Sequence, residues 1–328
     1  MEHTLNKRGG GFFRLKESGV IIALVILFVF FSVSTDTFLS SQNLMNILRQ
    51  VSLLGIMTMG MTMVIVTGEF DLSVGSTFGM TGLLTGTFMS TLGYPIWVSI
   101  VLGVLIGIAV GLINGILVTY CRIPSFIVTL GMLNIVRGLA LVITGGLVVV
   151  LNEKTVRYHD GLDSFFFTGS GKVGAMPVMA FFFIAVVVAA FFVLHKTIIG
   201  FWMKAVGGNS NAAQAVGIKV PFVKIVAFSI LGGLAALAGI INLAFITNAQ
   251  GTTGQGMELN VIAATVIGGT SISGGEGSIL GAVIGVLITG ILNNGLILIG
   301  ASSFVQTVCI GAVIIGAVAI DVWSRRRQ

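Results

Sequence analysis

The stretch "T-G-E-F-D-L-S-V-G-S" (Thr67–Ser76) sets two carboxylates, Glu69 and Asp71, two residues apart between strongly apolar runs. Ser52–Val66 lead into it, and a Gly-, Met- and Leu-rich run follows to Met89. Two charges facing lipid at the bilayer centre would cost roughly 5–7 kcal/mol, so the stretch reads as a turn that breaks one apolar helix from the next. Asp71 or Ser73 can cap the helix that follows, whose dipole favours negative charge at its start. Carboxylates in a broken helix could instead bind H⁺ or Na⁺, as in an ion-coupled secondary transporter, and both readings stay open here.

Composition sets the medium around that turn. Of 328 residues, 55% are hydrophobic and 9% charged, whereas soluble domains carry about 25% charged residues. The chain is therefore expected to be an all-α polytopic membrane protein. Its apolar runs have helix-spanning length, and membrane strands would be shorter and alternate in polarity. Ten spans are expected: 18–33, 51–67, 72–89, 95–120, 125–144, 175–194, 222–247, 258–269, 278–298 and 303–320.

Charge placement gives a topology. With the N-terminus in the cytoplasm and sides alternating, twelve Lys and Arg residues fall inside: Lys7, Arg8, Arg14, Lys16, Arg122, Lys196, Lys204, Lys219, Lys224 and Arg325–Arg327. Arg49, Lys154, Arg157 and Lys172 fall outside, and Arg137 lies within a span. That bias is the positive-inside pattern and puts both termini in the cytoplasm. It assigns the net charge of +6 to topology and not to nucleic acid. The divisions expected are a cytoplasmic tail (1–17), one transmembrane domain (18–322) with a cytoplasmic loop (196–221), and a basic tail (323–328). A cleaved signal peptide at the first span is the alternative there, though no clear A-x-A site follows.

Two patterns concern helix contacts. Gly103, Gly107, Gly111 and Gly115 recur every four residues, which makes a smooth stripe for close backbone approach, within the chain or at a homodimer seam. "M-V-I-V-T-G-E-F-D-L-S-V-G-S-T-F-G" (Met63–Gly79) also weakly echoes "A-T-V-I-G-G-T-S-I-S-G-G-E-G-S-I-L-G" (Ala264–Gly281). Each breaks an apolar run at a turn of Gly, Ser and a carboxylate, including Gly274 and Gly275, as transporter repeats do.

The main interruption is "H-K-T-I-I-G-F-W-M-K-A-V-G-G-N-S-N-A-A-Q-A-V-G-I-K-V-P" (His195–Pro221). Asn209 or Ser210 can cap a short helix over Ala212–Val216, Gly217 can stop it in the left-handed region, and Pro221 prevents its continuation. A separately capped cytoplasmic helix suits the groove of a partner.

"A-V-G-G-N-S-N-A-A-Q-A-V-G-I" resembles the coupling-helix loop of ABC sugar-importer permeases of the ribose, xylose, arabinose and galactoside group, nearest to the ribose members. The resemblance continues through "T-G-E-F-D-L-S-V-G-S", "I-N-G-I-L-V-T-Y-C-R-I-P-S-F-I-V-T-L-G-M", "E-L-N-V-I-A-A-T-V-I-G-G-T-S-I-S-G-G-E-G-S" and "L-N-N-G-L". Many members read G-G-I-D-L-S where this chain has Glu69, so that carboxylate is a departure. The resemblance implies a bacterial cytoplasmic-membrane importer. Two permeases, expected to be a homodimer, would form the path for a pentose-like sugar. A cytoplasmic ATPase would dock on Gly207, Gly208, Asn209, Ala212, Ala213 and Gly217, and a periplasmic or lipid-anchored binding protein would deliver the sugar. Import of nucleosides or branched-chain amino acids is the substrate-level alternative.

No ATP site, cofactor or enzymatic activity is expected in this chain. "T-G-S-G-K-V" (Thr168–Val173) lacks the first glycine of a P-loop and the Ser/Thr after its lysine. His3, His159 and His195 share no metal spacing, and Cys121 and Cys309 no framework. Amides inside spans suit hydroxyl-rich substrates, which makes Asn114, Asn242, Asn248, Asn293 and Asn294 pathway candidates; interhelical bonding is the competing role. Arg137 is expected to pair with Glu69, Asp71 or Glu258.

Overall fold

The computed structural model describes residues 18–302, 304–309, 311–312 and 315–316. Its helices are α1 (Ser18–Ser34), α2 (Ser41–Val66), α3 (Val74–Ser90), α4 (Ile96–Thr119), α5 (Ser125–Thr144), α6 (Leu162–Ser170), α7 (Val178–Lys196), α8 (Ile198–Gly208), α9 (Ser210–Ala215), α10 (Val220–Ile246), α11 (Met257–Ile267) and α12 (Ile279–Leu298). Beyond α12 the described residues 304–309, 311–312 and 315–316 are helical. The expected tails, 1–17 and 323–328, and much of the tenth span lie outside the described residues.

Among the described residues, six helices (α2, α4, α5, α7, α10 and α12) are long and apolar enough to cross a membrane. α1 and α3 have 17 residues each and α11 only 11, so of the ten expected spans these three fall below that length. The all-α expectation also needs a small correction. Two antiparallel pairs of two-residue strands stand in the loops, β1 (Val149–Val150) with β4 (Asn248–Ala249) and β2 (Lys172–Val173) with β3 (Met176–Pro177).

α2 begins at Ser41, ten residues before the expected Val51. Its first three turns carry Gln42, Asn43, Asn46 and Arg49, which hydropathy discounts. Ser40 caps the helix by accepting from the Asn43 N–H at 3.3 Å, and the Asn43 side chain is buried with a partner of its own. Arg49, expected outside, thus lies within α2, its guanidinium 5.1 Å from the centre of the Phe245 ring.

α2 is the hub of the fold. Its apolar window is 89% buried, against 33% for α4, and it packs on α7, α10, α11 and α12. Met57, Met59, Met61 and Met63 lie within it fully or almost fully covered. A helix apolar all round belongs in such a place.

The glycine stripe of α4 faces α10 of the same chain. A Cβ added at Gly107 would overlap the Gly232 carbonyl and sit 2.5 Å from the Ala236 Cβ. At Gly111 it would overlap the Phe228 carbonyl, and at Gly115 it would lie 2.7 Å from the Ile225 Cα. In lipid, helices gain little from burying apolar surface against each other, so van der Waals contact at short separation must hold them. This seam accounts for the stripe without a second copy.

α5 and α10 run in the same direction. The Glu69–Lys224 contact and the Phe70–Ser125 bond gather the starts of α5 and α10 near the α2–α3 turn. The β1–β4 pair gathers the ends of α5 and α10 at the opposite end.

Gly107→Leu and Gly111→Leu should each lower the yield of folded, detergent-extracted protein and its melting temperature, by the 1–3 kcal/mol or more typical of overpacking. Gly19, with nothing within 4 Å of an added Cβ, is the control position at which substitution should leave both unchanged.

Candidate coupling and translocation site

At the end of the molecule where α2 finishes, three glycine-bearing segments meet. The end of α2 and the α2–α3 turn contribute Val66–Gly68, the end of α8 contributes Gly207–Gly208, and the α11–α12 turn contributes Gly274–Gly275. The Gly275 N–H donates to the Val66 carbonyl at 2.9 Å. A Cβ on Gly207 would overlap that carbonyl and lie 2.5 Å from the Gly275 nitrogen. A Cβ on Gly274 would come within 2.9 Å of the Gly68 Cα, and φ there is +82°. The two sequence-similar turns therefore touch each other beneath the loop read as the coupling element.

That loop is more ordered than the sequence reading allowed. The capped helix is present as α9, Ser210–Ala215, with the Asn209 side chain accepting from the Ala212 N–H at 3.0 Å and Gly217 left-handed at φ +90°. Ahead of it stands α8, an 11-residue helix where only loop is expected from the sequence. Thr197 caps it by accepting from the Gly200 N–H at 3.3 Å. Of the residues expected on the docking surface, Gly208, Asn209, Ala212 and Gly217 are exposed. Ala213 is 4% exposed and Gly207 packs on Val66 and Gly275; these two face the body of the protein.

The two opening carboxylates have separate partners. Asp71, 3% exposed, accepts from the Ser73 N–H at 2.7 Å and the Ser73 hydroxyl at 2.6 Å on one oxygen. Its other oxygen accepts from the Asn114 amide at 3.1 Å, and that amide also donates to the Ser73 hydroxyl at 2.9 Å. Asp71 thus braces the turn ahead of α3 and ties it to α4, while the Ser73 side chain makes no cap bond of its own to α3. Glu69 pairs with Lys224 on α10. The pair borders a cleft of about 410 Å³ that is also lined by Arg122, Ser125 and Ser210.

Arg137 has none of its three expected partners. Its Nε and Nη2 are buried without a hydrogen bond, Glu69 and Asp71 are engaged as described, and Glu258 accepts from the Gly256 N–H at 3.2 Å.

The five candidate pathway amides do not converge. Asn114 is spent on Asp71 and Ser73. Asn294 exchanges two hydrogen bonds with Asn43, at 3.0 and 2.8 Å, and thereby staples the end of α12 to the start of α2. Asn248 is exposed in β4 and donates to the Ile246 carbonyl at 2.9 Å. Asn242 is half-buried on α10, and Asn293 keeps a buried oxygen without a partner. The sequence reading missed Asn43 and Lys224, although both were visible as polar groups in or beside apolar helices. Among the described residues no group of three or more His, Cys, Asp or Glu side chains could hold a metal ion.

Glu69→Gln and Lys224→Met should each destabilise the folded protein by more than the ~1 kcal/mol of an exposed pair and up to roughly 3–5 kcal/mol, the range for a buried one. The double variant should recover part of that loss in the same unfolding measurement. Asn43→Ala should cost about 1–3 kcal/mol by leaving the Asn294 amide unsatisfied; an unchanged melting temperature would deny the staple.

Residues 43–318 match the family described as branched-chain amino acid transport system / permease component. The chain is 39% identical over 307 residues to the ribose import permease protein RbsC of Escherichia coli (strain K12), covering 94% of each. It is 42% identical over 308 residues to the RbsC of Bacillus subtilis (strain 168), covering 94% of this chain and 93% of the relative. With the L-arabinose ABC transporter permease protein AraH of Azospirillum brasilense it shares 34% identity over 321 residues, covering 98% and 92%. No solved structure matches it. The motifs quoted from the sequence and the match along nearly its whole length agree, and the chain belongs to the ABC-importer permease family, as a transporter component and not an enzyme.

Proposed function

We propose that this chain is the membrane permease of an ATP-driven importer for a pentose or similar sugar, working as a homodimer in the bacterial cytoplasmic membrane. The observation that carries the mechanism is the seating of the α8–α9 loop on both the α2–α3 and the α11–α12 turns. A partner ATPase that closes on binding ATP would push the exposed residues Gly208, Asn209 and Ala212. The load would pass through Gly207 to Val66 and Gly275, and so to four helices at once. A rigid, capped element transmits such a displacement, and packed interfaces respond by switching between discrete arrangements. The pathway then opens alternately to a sugar-binding protein outside and to the cytoplasm.

Ten spans with both termini inside fit the shared direction of α5 and α10, the fifth and seventh of those spans, with the end that carries α8 and α9 on the cytoplasmic side. Arg122, Lys196, Lys204, Lys219 and Lys224 lie in or beside the loops of that end, which is the charge bias expected there. The pairing of Glu69 with Lys224 and of Asp71 with Ser73 and Asn114 leaves neither carboxylate free for a coupling ion. That weighs against ion-coupled transport. The sugar assignment draws on the relatives named for ribose and L-arabinose import.

In proteoliposomes holding the permease with its ATPase and binding protein, D-ribose uptake should require ATP and survive collapse of ion gradients. Gly208→Leu or Val216→Asp should reduce that uptake at least tenfold while leaving the amount of folded permease unchanged. Ala213→Asp should instead lower the amount of folded protein, because its side chain points inward.

A further inference from the structure

Two clefts open at the foot of the α4–α10 seam, where α4 ends at Thr119, α5 begins at Ser125 and α10 at Val220. One, of about 390 Å³, has Tyr120, Lys219 and Phe222 in its lining. The other is the cleft of about 410 Å³ beside Glu69 and Lys224, and it takes in Arg122. Val220 and Pro221 line both, so the two adjoin.

Their charge is unbalanced. The linings hold three cations, Arg122, Lys219 and Lys224, against one carboxylate, Glu69. Lys224 and Glu69 neutralise each other, which leaves the exposed Arg122 and Lys219 in excess. Arg122 holds φ +54°, a left-handed conformation that glycine adopts at far lower cost, so the guanidinium stands at this turn against a backbone penalty. Ser125, 7% exposed, lines the same cleft. Its hydroxyl accepts from the Phe70 N–H at 3.3 Å and can donate to an acceptor in the cleft.

The surroundings select the anion. A stripe of exposed apolar side chains runs along α4 through Leu105, Ile108, Leu112 and Ile116 and ends at Tyr120. Tyr120 and Phe222, 68% and 51% exposed, set aromatic rings at the rim of the first cleft; amphipathic aromatics such as tyrosine gather at headgroup level. A free phosphate would meet the two cations and gain nothing from the stripe. A phospholipid meets both, with its phosphate at the cations and its acyl chains along α4. Two unbalanced cations between transmembrane helices favour a headgroup of net negative charge over a zwitterionic one.

We propose that the adjoining clefts bind an anionic phospholipid of the cytoplasmic leaflet, its phosphate held by Arg122 and Lys219. The segment that joins α9 to α10, Gly217–Lys219, is thereby fastened to the membrane surface. The site lies apart from any sugar path and goes beyond the import reading.

The test uses the full-length permease purified in a non-ionic detergent, alone and with its ATPase. It is titrated with dioleoylphosphatidylglycerol, dioleoylphosphatidylcholine or inorganic phosphate. Phosphatidylglycerol should raise the melting temperature by several degrees and slow amide hydrogen exchange over residues 216–222 severalfold. Phosphatidylcholine and inorganic phosphate should do neither. Combining Arg122→Gln with Lys219→Gln should remove most of both effects, and Arg122→Lys should keep them. Lys219→Gln alone, with a weakened response, serves if the double variant folds poorly. Lys196→Gln, at an exposed cation outside both clefts, should respond as the parent does. An equal effect of phosphatidylcholine or of inorganic phosphate, or an undiminished response in the double variant, overturns the inference. A response that disappears once the ATPase is bound assigns the surface to that partner and overturns it as well. No readout involves sugar, so failure here leaves the import reading standing, and failure of that reading leaves the lipid site standing.

Discussion

A helix that ends within a packed membrane protein leaves four carbonyls without intrahelical partners, and in a dry surrounding each must find one. At the end of α2 the account closes. The Met63 and Val64 carbonyls accept from the Thr67 N–H, Val64 also from Glu69, and Ile65 from Gly68. Val66 is left over, and its acceptor is filled from a distant part of the chain by the Gly275 N–H. That bond requires the two turns to touch, which the small residues Gly68 and Gly274 permit. It also leaves the α8–α9 loop no room for a side chain at Gly207. One unsatisfied carbonyl thus accounts for three glycine-bearing segments at a single point.

Much of this architecture was legible because membrane sequences state it in hydropathy, charge and small residues. Ser125–Thr144 is a helix with the bounds read from its apolar run, and α9 was visible from Asn209 and Gly217. Hydropathy failed where polar residues are buried in pairs. The first two turns of α2 look like loop until Asn43 meets Asn294, 251 residues away. α8 was hidden for the opposite reason: Ile198–Val206 is apolar but too short for a span, and its cap, Thr197, is inconspicuous.

The site was less legible than the fold. Amide type alone nominated five asparagines, but function depends on whether an amide is already spent, and that is a tertiary fact. Asn114 and Asn294 are spent within the chain. Arg137 was assigned a carboxylate on general grounds. Glu69, the residue that departs from the family motif, is matched by Lys224, which helps explain how a second carboxylate is accommodated in this turn.

The methionines of α2 bear on how such a molecule can move at all. Met57, Met59, Met61 and Met63 sit on successive alternate positions of the most enclosed helix, so thioethers point from it in several directions. Unbranched side chains with three rotatable bonds fill irregular gaps and exchange rotamers with little change in volume. Branched aliphatic residues in those places would lock one interdigitation and open voids when neighbours slid past. Methionine instead gives the hub a compliant lining, a bearing surface on which the surrounding helices can shift while the interior stays filled.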